Sequence, residues 1–247
     1  MVTREQALAL IATLDLTDLS ETMTEEDAHR LCDLARSPAG PVAAVCLWPR
    51  FVPAAKAHLA GSGIAVATVV NFPDGRDDPP AVRDALERVL ADGADEIDLV
   101  MPYAAVRTGD RRSAESLLAD ARATVPGTTP LKVILESGAL DGASLRLAGE
   151  IALDAGADFL KTSTGKIATG ATPEAAEIML ATIADRGNRA GFKASGGVRR
   201  PEGALAFYEQ ASRWMRGAPD AARFRIGASG LLTALVPLAM TERPGGA

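Results

Sequence analysis

Residues 92–101 read DGADEIDLVM. The Gly-Ala pair has the composition of a helix end that feeds a strand. The strand that follows carries a carboxylate at every second position, Glu96 and Asp98, with Ile97 and Leu99 alternating between them. Successive side chains on a strand point to opposite faces, so one face of this segment is aliphatic and the other acidic. In an open parallel sheet helices cover both faces, and the strands read as continuous apolar runs. A strand that is half charged fits a sheet whose two faces differ, as they do when it closes on itself.

The same kind of segment recurs along the chain. Runs rich in aliphatic and β-branched residues are ATLDLT from Ala12, VAAVCL from Val42, IAVATVV from Ile64, EIDLVM from Glu96, LKVILE from Leu131, DFLKTS from Asp158, GFKAS from Gly191 and RFRIGAS from Arg223. Helical patterns separate them. TEEDAHRLCDLA opens on Thr24 with an acidic first turn, DDPPAVRDALERVLADG shows helical spacing of its apolar residues, and TPEAAEIMLATIADRG runs from Thr172 and Pro173 to Gly187. Eight strands at a mean spacing of roughly 30 residues, each followed by a helix, predict a single (β/α)8 barrel over residues 1–247, with a loose tail from about residue 241. The second unit, with a short helix around Pro53 to Leu59, and the eighth are its weakest.

Alternation assigns the inward faces. Asp15 and Thr17 share one, as do Glu96 and Asp98, Lys132 and Glu136, Phe159 and Lys161, and Gly191 and Lys193. Four carboxylates and three lysines would then point into one desolvated space. Such a set is a poor way to stabilise a core and an effective way to perturb pKa values.

Composition narrows the function classes. Of 247 residues, 47% are hydrophobic and 23% charged, with a net charge of −6, which fits a globular enzyme and disfavours a broad nucleic-acid surface. The longest uncharged apolar stretch, Ile226 to Met240, is shorter than the roughly 20 residues that span a bilayer and contains Pro237. Nothing at the N-terminus has the form of a secretory signal. Cys32 and Cys46 fall on different elements and make neither a disulfide framework nor a metal-ligand set. A cytoplasmic protein with no membrane or nucleic-acid partner is expected.

Residues 158–166, DFLKTSTGK, concentrate the chemistry. A nucleotide P-loop would need glycine where Leu160 stands and Ser or Thr where Ile167 stands. Lys161 and Lys193 instead lie near the C-terminal ends of strands, where a barrel builds its active site. A lysine beside a second cation in a dry site loses part of its proton, and a free amine condenses with aldehydes. The protonated imine that results is an electron sink for carbon–carbon cleavage, given a proton carrier such as Asp98 or Lys193. Turns rich in glycine and hydroxyls, TSTGK, ASGGV and GASG, follow the last three strands and suit a phosphate. Taken singly, each residue has a duller explanation: a strand-end lysine is usually a solvated cap, Gly196-Gly197 a turn, and Cys46 a packed small hydrophobe. What favours the chemical reading is that they fall together at one end of one barrel.

The motifs LDLTDL, VCLWPRF, ATVVNFPDG, GADEIDLVMPY, LKVILESG, ADFLKTSTGK, GFKASGGVR and RIGASG, in that order over nearly the whole chain, resemble the deoxyribose-phosphate aldolase family. The resemblance implies cleavage of 2-deoxy-D-ribose 5-phosphate to D-glyceraldehyde 3-phosphate and acetaldehyde, with no cofactor and no metal. It implies Lys161 as the Schiff-base lysine, with Asp98 and Lys193 as the proton relay. Asp15, Thr17, Cys46 and Thr162 would line the sugar, and Gly165, Lys166, Gly196, Gly197, Ser229 and Gly230 the phosphate. A homodimer would fit the family. Two departures stand out: Gly230 replaces a second serine found in many members, and the tail ends in PGGA rather than in a tyrosine. The rival readings are another Schiff-base aldolase or transaldolase on a different phosphosugar, and a catalytically dead phosphate-binding module.

Overall fold

The computed structural model describes residues 1–187 and 189–241. The tail expected to be loose lies outside them beyond Thr241. Eight strands, β1 (Leu14–Thr17), β2 (Ala44–Leu47), β3 (Ala65–Val70), β4 (Glu96–Val100), β5 (Leu131–Ile134), β6 (Phe159–Lys161), β7 (Gly191–Ser195) and β8 (Phe224–Ala228), pair in chain order. All pairs are parallel, and β8 returns to β1, with Leu14 opposite Ile226, to close the barrel. Every expected strand is present; β7 keeps its full expected span and the others are shorter by one or more end residues.

The helices form the outer layer. They are α1 (Arg4–Ala12), α2 (Glu25–Ala35), α3 (Val52–His58), α4 (Pro79–Ala91), α5 (Tyr103–Arg107), α6 (Arg111–Thr124), α7 (Gly142–Asp154), α8 (Pro173–Asp185), α9 (Pro201–Met215) and α10 (Leu231–Met240). Local chemistry starts them where the sequence places the signals. The Thr24 hydroxyl accepts from the Asp27 amide while the Asp27 carboxylate accepts from the Thr24 amide, a capping box worth about 1 kcal/mol at the head of α2. Thr172 caps α8 with its hydroxyl accepting from the Ala175 amide, and Pro173 stands in the first turn. The second unit does carry a short helix, preceded by a 3-10 turn over Pro49–Phe51.

Two layers of packing follow from the alternation. Ile97, Leu99, Val133 and Leu135, 0–1% exposed, face the helices in the main apolar core. Glu96, Asp98, Lys132, Lys161, Lys193 and Arg225 face inward, none more than 6% exposed. Low in the barrel, Phe159 fills the space beside β7, and a Cβ on Gly191 would come within 2.3 Å of its ring. Only glycine fits there, so the ring and the missing side chain are complementary. Above, the interior divides: Leu19, Ala44, Cys46, Ala67 and Val69 make an apolar wall on the β1–β3 side, while the lysines occupy the β5–β7 side.

Candidate active site

The interior charges converge on Asp98, near the middle of β4. Its Oδ2 accepts from Lys161 Nζ and from Lys193 Nζ, each at 2.7 Å, and its Oδ1 accepts from Lys132 Nζ at 2.9 Å. Lys193 also donates to Asp15. Lys132 reaches Glu96 at 2.6 Å. From β8, Arg225 donates to Asp15 and to Glu96, both at 2.6 Å. Register explains the convergence: Ile134, Lys161 and Lys193 are Cα partners across β5, β6 and β7, and Asp98 lies opposite Lys132 on β5.

This crowding acts differently on each group. Burial alone would raise the Asp98 carboxyl, but Lys132, Lys161 and Lys193 outweigh it and hold the group well below the carboxylate range. Asp15 is held low in the same way by Lys193, Arg225 and Lys132. For Lys193, burial favours loss of the proton, yet Asp15 and Asp98 overcome it and keep the ammonium charged to well above ordinary lysine values. Lys161 goes the other way. Burial lowers its pKa, Asp98 pulls it back only in part, and Lys193 pushes it down further. Two lysines in contact with one oxygen thus have opposite protonation tendencies, the division of labour that a nucleophilic amine needs.

Above Lys161 opens a cleft of about 530 Å³ at the C-terminal end of the strands, walled by the loops after β1, β6, β7 and β8. Thr17, Lys161, Gly165, Lys166, Gly196, Gly197, Ser229 and Gly230 all line it. Gly196 and Gly197 have φ of +88° and +84°, values side-chain-bearing residues rarely adopt, and they turn the chain at the cleft wall. Gly230 precedes the first turn of α10, whose leading amides have no intrahelical partner and suit an anion. The Lys166 ammonium donates to the Leu19 carbonyl at 2.7 Å and lies 6.0 Å from the Trp48 ring centre, spanning the cleft from the β6 loop to the β1 loop.

Other residues named from sequence sit elsewhere. Asp15 is fully buried a layer below the cleft, its oxygens engaged by Lys193 and Arg225. Thr162 is buried too, with its hydroxyl donating to the Ser195 carbonyl and accepting from the Ser195 amide, so it ties the end of β6 to β7. The Cys46 thiol, buried, faces Asp98 Oδ2 at 4.0 Å, and burial next to Asp98 raises its pKa and keeps it protonated.

Arg225 carries no role in the sequence reading, and neither do the contacts of Glu136. That residue sits just past β5 with a left-handed φ of +54°, and accepts from the hydroxyl and amide of Thr164 in the β6 loop. Burial raises its pKa against the pull of those bonds. The alternation would have placed Arg225 on an inward face together with Gly227. Among the described residues no group of three or more His, Cys, Asp or Glu side chains is arranged to hold a metal ion, and no helix is long and apolar enough to cross a membrane.

Comparison with known proteins agrees with this geometry. The family described as DeoC/LacD family aldolase matches residues 9–235. A deoxyribose-phosphate aldolase of Agrobacterium fabrum is 45% identical over 234 residues, covering 93% of this chain and 90% of that protein. The tetrameric deoxyribose phosphate aldolase from Aeropyrum pernix superposes with a TM-score of 0.75 at 25% identity, over 95% of each chain. The apo form of a provisionally described deoxyribose-phosphate aldolase from Toxoplasma gondii ME49 superposes with a TM-score of 0.87 at 25% identity, over 98% of each chain.

Proposed function

The chain belongs to the DeoC/LacD aldolase family, and from that membership we infer that it is a class I deoxyribose-phosphate aldolase. It cleaves 2-deoxy-D-ribose 5-phosphate reversibly to D-glyceraldehyde 3-phosphate and acetaldehyde. The observation that carries the assignment of roles is that Lys161 is the one lysine of the buried cluster on the cleft wall, and the one whose ammonium is disfavoured.

In this reading the neutral Lys161 amine adds to C1 of the open-chain sugar, and water leaves as the protonated imine forms. The C3 hydroxyl gives up its proton, the C2–C3 bond breaks, and its electron pair moves to the imine nitrogen. C3 becomes the aldehyde of glyceraldehyde 3-phosphate, and an enamine stays on Lys161. Protonation at C2 yields the ethylidene imine, and water hydrolyses it to acetaldehyde and the free amine. Asp98 is the acceptor nearest to Lys161 Nζ, at 2.7 Å; its lysines hold it ionised, so it relays protons through Lys193 and water rather than retaining them. Lys193 keeps Asp98 charged and oriented and disfavours a second ammonium beside it. Lys166, the Gly196-Gly197 turn, Ser229 and Gly230 receive the phosphate, which sets the carbonyl end of the sugar over Lys161.

Two further readings accompany it. The two free, buried thiols, one beside Asp98, fit a reducing cytoplasmic setting. Assembly as a homodimer rests on the family resemblance, with a tetramer as the alternative, and light scattering in solution decides between them.

The test is borohydride reduction in the presence of acetaldehyde, followed by peptide mass mapping. An ethyl group on the peptide containing Lys161 is expected. Labelling of Lys132 or Lys193, or of no lysine, would overturn the assignment.

A further inference from the structure

Beneath the cleft lies a guanidinium that the reaction above does not use. Arg225, 6% exposed, bridges Asp15 and Glu96 from the β8 side. Through them it joins a continuous buried network of ion pairs whose members are Asp15, Glu96, Asp98, Lys132, Lys161, Lys193 and Arg225. Three of these are carboxylates and four are cations, so with every group ionised the network carries one positive charge in excess.

An uncompensated charge in a desolvated site is costly, and shedding one proton removes it. Arginine cannot be the donor, because its guanidinium stays protonated in proteins. Lys132 touches Glu96 and Asp98 and lies 3.9 Å from Asp15, and Lys193 touches Asp15 and Asp98. Lys161 touches Asp98 alone, on an oxygen it shares with Lys193. It is therefore the cation held by the fewest partners.

We propose that Arg225 and Glu96 are a pair of positioning residues that set the charge balance of the site, Arg225 supplying the fixed surplus that makes Lys161 the group to give up its proton. The inference rests on Lys161 being the imine-forming lysine. The other groups near Lys161 leave the count of ion-paired charges unchanged. Cys46, from β2, is a protonated thiol. Glu136, from the end of β5, also acts on Lys161 but from beyond ion-pair distance; its carboxylate is engaged by Thr164, and burial pushes its pKa up, towards the neutral form.

The test is a charge cycle read by the pH midpoint of borohydride trapping of acetaldehyde on Lys161. Arg225→Met leaves three carboxylates against three cations, so Lys161 should keep its proton and the midpoint should rise, by roughly one pH unit for a charge at this remove. Glu96→Gln leaves two carboxylates against four cations, and the midpoint should fall by a similar amount. The double variant has two against three, the original surplus of one, and its midpoint should return to the wild-type value. Arg225→Lys retains the charge and should also stay near wild type. General damage to the barrel would not move the two single variants in opposite directions or cancel in the double.

Midpoints that do not move, or that move the same way in both single variants, would overturn the proposal. Should Arg225→Met fail to fold, Glu96→Gln and Arg225→Lys decide: an acid shift in the first with none in the second supports the charge balance, and any other pattern refutes it. Failure to label Lys161 in the wild-type protein would instead sink the aldolase assignment of that lysine, a result separate from any of these shifts.

Discussion

Lys161 and Lys193 are register partners on β6 and β7, and both donate to the same oxygen, Asp98 Oδ2, at 2.7 Å. Their equivalence ends at that atom. Lys193 has Asp15 as a second anionic partner and Lys161 does not, so one ammonium is stabilised and the other is pressed towards the free amine.

Replacing Lys193 with methionine removes the charge that disfavours the Lys161 ammonium, so the pKa of Lys161 should rise and imine trapping should need a higher pH. Turnover near neutral pH should fall at least about 100-fold, the scale of a lost acid–base group. A fall in turnover with an unchanged trapping profile would mean that Lys193 does not tune its neighbour.

Asp98→Asn should separate two properties. Asp98 is the group that pulls the Lys161 pKa up, so without its charge Lys161 loses its proton more readily and trapping should extend to lower pH. Turnover should nevertheless drop at least about 100-fold, because the amide cannot accept the protons released in the cleavage. Parallel loss of trapping and turnover would make Asp98 a structural residue only.

Alternation of charge was the most legible feature of the sequence, and it explains both success and omission. Glu96 and Asp98 declare an inward face because aliphatic residues flank them on the same short strand. Arg225 obeys the same rule. Yet Arg225 has a second arginine, Arg223, just ahead of β8, and the partners that make Arg225 interior are 210 and 129 residues away in the chain, at Asp15 and Glu96. Spacing alone likewise cannot tell how a side chain spends its hydrogen bonds. Thr162 follows the key lysine directly, but its hydroxyl is consumed by the Ser195 backbone. The left-handed backbone at Glu136 has no glycine or asparagine to announce it and emerges only from the tertiary contact with Thr164.

Lys161→Leu should stabilise the protein while abolishing activity. The folded-state pKa of Lys161 is lowered, so the folded state binds that proton more weakly than the unfolded chain does. Such a lysine is a liability that is complete below its folded pKa and disappears above its unfolded one, near 10.4 for an ordinary lysine. At pH 7 the variant should melt higher than wild type, by roughly 2–4 °C for each kcal/mol relieved, and the gap should narrow as the pH approaches 10. A variant less stable than wild type at both pH values would show that the Asp98 contact outweighs the burial of the charge.

Lys166→Ala addresses the other end of the substrate. The Lys166 ammonium lies on the cleft wall with Gly196, Gly197 and Ser229, and in the structure its hydrogen bond goes to the Leu19 carbonyl. A neutral carbonyl is a weaker partner for it than a phosphate dianion, so an incoming phosphate would draw the side chain to itself. The backbone of the Gly196-Gly197 turn and the first turn of α10 would remain as anion donors after the lysine is gone, so binding should weaken rather than vanish. A hydrogen bond to a charged group contributes about 1.5–3 kcal/mol, which corresponds to roughly a 10- to 100-fold rise in KM for 2-deoxyribose 5-phosphate. The kcat/KM for unphosphorylated 2-deoxyribose should change by less than about threefold, since that substrate never makes the contact, and Lys166→Arg should recover part of the loss. If both substrates suffer equally, the role of Lys166 is to bridge the β6 loop to Leu19 and Trp48 and shape the cleft, and the phosphate is held by the glycine turns and α10 without it.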